Sequence, residues 1–98
     1  MITLSRYRGI RPEIDPDQDQ KLITVPRNTM RNGKDLLISK DGVFYINSWQ
    51  MFNDQETAGF YQIAPHEARE MIRIRQLEMN GDQQKAAERI FPGVFRGS

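Results

Sequence analysis

The sequence predicts an α+β fold: a small antiparallel sheet of three or four strands, with a C-terminal helical hairpin packed on one face. Three observations predict it. Two β-prone runs, LLIS and VFYIN, flank Lys40-Asp41-Gly42, a turn whose Asp-Gly pair is suited to a hairpin. After residue 64 the apolar spacing changes from a period of two to the three-and-four spacing of helices. The strands also come first and the helices last, which argues against an alternating parallel α/β sheet. With 98 residues there is room for one domain. Its parts are expected to be an arm and acidic loop over 1–20, the sheet over 21–63, the helical hairpin over 64–91 and a tail over 92–98.

The first ten residues, MITLSRYRGI, alternate Ile2, Leu4 and Tyr7 with polar neighbours and suit an edge strand or an ordered arm. RPEIDPDQDQ carries two prolines and four carboxylates, the composition of a solvated acidic loop. KLITV is a short strand stopped by Pro26, which cannot donate to a ladder. Asn32-Gly33 is expected to turn, because both residues tolerate positive φ.

The hairpin over 36–47 follows, turning at Asp41-Gly42. Val43, Tyr45 and Asn47 fall on one face of its second arm, and Phe44 and Ile46 on the other. Apolar residues on both faces suit a central strand with a helix on one side. SWQMFNDQETA reads as a helical turn or an irregular loop, and GFYQI as a fourth strand.

Pro65 fits the first turn of a helix, where its missing N–H does no harm, and Glu67 and Glu70 favour the positive end of the dipole. Ala68, Met71, Ile72 and Met79 line one side as far as residue 79, with Ile74 and Leu77 widening the stripe. Asn80-Gly81 reads as a helix stop, with Asp82 capping a second helix that carries Ala86, Ala87, Ile90 and Phe91. Met71, Ile72, Ile90 and Phe91 should meet in the core.

Composition removes several functional classes. Fourteen Lys and Arg against thirteen Asp and Glu leave a net charge of +1, too little for a global field toward nucleic acid or anionic membrane. No run approaches the length of a membrane span, and no leader-like apolar segment opens the chain, so a cytoplasmic protein is expected. There is no cysteine and a single histidine, His66, which removes thiol nucleophiles and His- or Cys-liganded zinc. Asp15, Asp17 and Asp19 take the spacing of the first calcium ligands in an EF-hand. Gln20 and Pro26 then stand where its glycine and bidentate glutamate belong. No glycine-rich phosphate loop or nucleophile elbow is present, and the expectation is no enzyme, no cofactor and no metal.

NGDQQKAAERI resembles the opening of a helix-turn-helix unit, but FPGVFRGS cannot supply a recognition helix after it. Taken instead as the reading helix, 82–91 would offer Gln83 and Gln84 to adenine edges with only Lys85 and Arg89 to hold phosphates. A structural helix pair is the favoured reading.

Two surfaces then remain. Trp49, Met51, Phe52 and Phe95 sit in polar or irregular stretches and are the expected contacts to a protein partner, although the residues slightly favour Trp49 and Phe52 folding back to cap the sheet. Arg6, Arg8 and Arg11 around Tyr7, with Arg69 and Arg73 one helical turn apart, form the alternative, a polyanion or nucleic-acid surface, provided that they converge. The expected function is a non-catalytic protein that binds and modulates a larger protein partner, with nucleic-acid binding as the alternative.

Overall fold

The computed structural model describes residues 2–3 and 13–96. Its centre is the hairpin that the sequence predicts. Strand β4, Asn32–Ile38, pairs antiparallel with β5, Phe44–Phe52, in an unbroken register from Ile38↔Phe44 to Asn32↔Gln50. Gly42 turns the chain with φ 82°, and Ser39 closes the loop by accepting the Gly42 N–H at 3.0 Å and, through its hydroxyl, the Val43 N–H at 3.1 Å.

Strand β3, Gln20–Ile23, pairs with the end of β4, and β6, Gln55–Gln62, pairs with the whole of β5, giving the order β3-β4-β5-β6. The stretch after Ser48 is therefore neither helical nor irregular. Strand β5 continues to Phe52 and reverses within two residues, because Asn53 and Asp54 both adopt positive φ (50° and 63°), as a tight hairpin turn demands. Ahead of this sheet, β1, Ile2–Thr3, and β2, Glu13–Ile14, form a separate two-stranded ladder.

Helix α1, Pro65–Ile74, follows β6; a single 3₁₀ turn, Gln76–Glu78, leads to helix α2, Gly81–Ile90. Glu67 accepts the Ala64 N–H at the start of α1, with Pro65 in the first turn. Asn80 does not stop the first helix. It caps the second, accepting the Gln83 N–H at 2.8 Å while the Gln83 side chain accepts the Asn80 N–H at 3.1 Å. The first helix stops five residues early, at Ile74, where Arg75 donates to the Lys34 carbonyl of β4 at 2.7 Å and pairs with Glu78.

The helices cover one face of the sheet. Leu22, Ile23, Leu36, Phe44 and Ile46 from the strands close on Ala68, Ile72, Met79, Ala86, Ala87 and Val94. Ile72 is fully buried. Met71, Ile90 and Phe91 lie half-buried against the same cluster, and Phe91 stacks on Phe44 with ring centroids 5.3 Å apart. The opposite face carries a second cluster, Ile14, Leu37 and Tyr45, edged by Val43 and Phe60. The acidic stretch seals this second face instead of standing free in solvent. Asp19 is buried and accepts both the Asp15 N–H at 2.8 Å and the Tyr45 hydroxyl at 2.7 Å.

Candidate functional site

The four residues expected at a protein partner separate once the chain folds. Trp49 is fully buried and cannot serve as a surface anchor. The loop after β3 folds over it. Arg27 lies above the indole, 4.3 Å from the ring centroid, and pairs with the buried Asp35 at 2.6 Å. Asp35 in turn accepts the Trp49 indole N–H at 3.3 Å and the Val25 N–H at 2.9 Å. Burial pushes the Arg27 pKa down, but the carboxylates of Asp35 and Glu56 outweigh it and hold the guanidinium above its ordinary range. Gly33 pairs across from Trp49, and Val25 packs where a side chain at 33 would stand. Asn32-Gly33 is accordingly the start of a strand, not a turn, and its glycine makes room for Val25.

Phe95 packs half-buried against the helix-side core, and Met51 is half-buried in a polar recess with Met30, Arg27 and Arg31. Phe52, at the tip of the β5–β6 hairpin, is 74% exposed and is the one member of the set that stands largely in solvent.

Of the arginines, Arg6, Arg8 and Arg11 lie outside the described residues, so their convergence with the helix is not defined. Arg69 and Arg73 are both exposed on α1, but Arg73 pairs with Glu70 one turn away. That pairing holds the Glu70 carboxyl below its usual range and raises the Arg73 guanidinium. The glutamines that a reading helix would present are engaged within the protein. Gln83 donates to the Thr24 hydroxyl at 3.1 Å, and Gln84 donates to the Met79 carbonyl at 3.0 Å.

The sequence reading missed the outer side of α1. Ile74 and Leu77 were expected to widen the buried stripe, yet they are 68% and 100% exposed. The cause is the helical period: nine positions on from the buried Ala68, Leu77 would fall about 180° away even on an unbroken helix. The chain instead tightens into the 3₁₀ turn, where Arg75 donates to the Lys34 carbonyl. Ile74 and the half-buried Met71 line a shallow open depression along α1 with His66, Glu67, Glu70 and Arg75, and Leu77 follows in the next turn. The signal that could have revealed this is Ile74 itself. It sits two residues from Ile72, a rotation of about 200° on a helix, so the two cannot share one face.

Among the described residues, no group of three or more His, Cys, Asp or Glu side chains is placed to hold a metal ion. Among the same residues no helix is long and apolar enough to cross a membrane. No family model, no curated protein and no solved structure matches the chain.

Proposed function

We propose that this protein is a non-catalytic binding module that docks on, and modulates, a larger protein partner through the outer side of α1. The observation that carries the reading is the full exposure of Leu77 beside the largely exposed Ile74. Two large aliphatic side chains that the core does not use stand three residues apart, at the end of α1 and in the turn after it. Adjacent exposed apolar side chains rimmed by charged groups are typical of protein-binding surfaces, whereas isolated ones need no explanation. The rim includes Glu70 with Arg73 and Arg75 with Glu78, already paired, so a partner that covers the aliphatics strands none of these four charges. The partner chemistry this favours is a polypeptide segment with apolar side chains. Phe52, at the tip of the β5–β6 hairpin, is a second exposed apolar position.

The same ion pairs weaken the nucleic-acid reading. Arg73 and Arg75 already have carboxylate partners, and a phosphate would have to displace them.

The test is quantitative capture of partners from the native cell, with nuclease treatment, using wild type, the double variant Ile74→Ser with Leu77→Ser, and Phe52→Ser. The double variant should lose a protein partner that wild type retains after nuclease, while its melting temperature stays close to that of wild type because neither side chain is in the core. Unchanged capture by the double variant, or a partner set that vanishes with nuclease, would overturn the proposal.

A further inference from the structure

We infer that the free edge of β6 is built to pair with the same edge of a second copy of this chain, antiparallel about a two-fold axis at Gly59. Among the described residues β6 is the last strand of the sheet, and all eight of its residues, Gln55–Gln62, pair with β5 in an unbroken register with no bulge. The strand, QETAGFYQ, has no proline and no lysine to block a neighbour, and six of its residues are exposed. Such an edge presents unpaired peptide groups in a row and invites a further strand.

The hydrogen-bond phase fixes which groups are free. Ile63 donates its N–H to the Phe44 carbonyl of β5 at 3.0 Å, so odd-numbered residues of β6 turn their peptide groups inward. By alternation Glu56, Ala58, Phe60 and Gln62 turn theirs outward. Centring a two-fold axis on Gly59 gives all four a partner in the second copy, Glu56 with Gln62 and Ala58 with Phe60, each pair exchanging two main-chain hydrogen bonds. Centring it on a neighbouring residue leaves some of the four unmatched within the strand.

Side chains agree with this register. Phe60 faces the small Ala58, Tyr61 faces Thr57, and Glu56, the single charge of the strand, faces neutral Gln62, so no like charges oppose. Gly59 meets itself at the axis, in a non-hydrogen-bonded pair where Cα atoms approach to about 4.5 Å. A side chain built on Gly59 touches nothing in the single chain, so its space is open only until the second copy arrives. The fit is isologous, which makes a second copy the occupant.

Three measurements test it. Sedimentation of wild type should report twice the chain mass. Gly59→Lys should return the monomer with an unchanged circular dichroism spectrum and a melting temperature that no longer rises with protein concentration, because the two lysines would oppose across the axis while the fold has room for each. In this cysteine-free chain, Gly59→Cys should oxidise rapidly to a covalent dimer, since the expected Cα separation suits a disulfide, and Lys40→Cys, exposed on the β4–β5 turn, should not. A monomeric wild type, a dimer indifferent to Gly59→Lys, or equal oxidation rates at 40 and 59 would each overturn the inference.

Discussion

Asp35 and Trp49 are locked together inside the sheet. The indole N–H donates to one carboxylate oxygen at 3.3 Å, while Arg27 pairs with the other oxygen at 2.6 Å and covers the indole face. An aromatic residue that reads as a surface anchor is thus part of a buried polar node. The node ties the loop after β3 to the centre of the sheet, and the polar groups in it supply partners that an apolar core would not need.

Removing the carboxylate should expose how much the node contributes. Asp35→Ala leaves the Trp49 indole N–H and the Val25 N–H buried without an acceptor and Arg27 without its closest partner. The expected loss is about 3 kcal/mol, at the low end for a broken buried pair because Arg27 is partly solvated. Denaturant titration followed by fluorescence reads it directly, since Trp49 is the sole tryptophan. The native emission should be blue-shifted and resistant to acrylamide. An unchanged midpoint in Asp35→Ala would contradict the node.

Tyr45 gives a prediction in alkali. Burial, and then its hydrogen bond to Asp19, push the phenol pKa well above its ordinary value. The folded state therefore keeps a proton that the unfolded chain loses. This stabilisation is complete below about pH 10 and is lost as pH rises toward the folded pKa, by about 1.4 kcal/mol per pH unit. Tyr45→Phe should be less stable than wild type by about 1 kcal/mol at neutral pH. The gap should narrow above about pH 10, where the phenol begins to ionise in the unfolded chain. A gap constant across that range in paired titrations would contradict the assignment.

Two glycines should fail for different reasons. Gly42 has φ 82°, so Gly42→Val forces a β-branched residue into the left-handed region and should cost about 1–2 kcal/mol. Gly33 has no such constraint. There, Gly33→Ala would place a methyl 2.8 Å from the Val25 side chain and should cost about 1–3 kcal/mol through overpacking. Shortening the neighbour with Val25→Ala in the Gly33→Ala background should recover part of that loss, while the same change should not rescue Gly42→Val.

Local signals made much of this fold readable, and remote partners hid the rest. The Asp41-Gly42 hairpin and the two-faced strand through Phe44 and Tyr45 follow from turn chemistry and alternation alone. The Asn53-Asp54 reversal was hidden because neither residue is glycine, although both tolerate left-handed backbone; once it is seen, β5 and β6 become one long ribbon. Trp49 cannot be placed from its neighbours, because Arg27, which covers its ring, belongs to another loop. Asp19 reads as a solvated carboxylate for the same reason, its partner Tyr45 lying across the sheet. Ile74 and Leu77 are different: the helical period alone turns both away from the face of Ala68 and Ile72. The proposed binding surface was therefore legible in the spacing itself.

The proposal that the outer side of α1 and the 3₁₀ turn after it carry the partner surface is tested most directly by site-specific photocrosslinking in the native cell. A photoreactive amino acid replaces Leu77 in one strain and Lys40, exposed on the β4–β5 turn, in another. The proposal predicts a discrete protein adduct from position 77, insensitive to nuclease, and none of that mass from position 40. No adduct from position 77, or the same adduct from both positions, would contradict it.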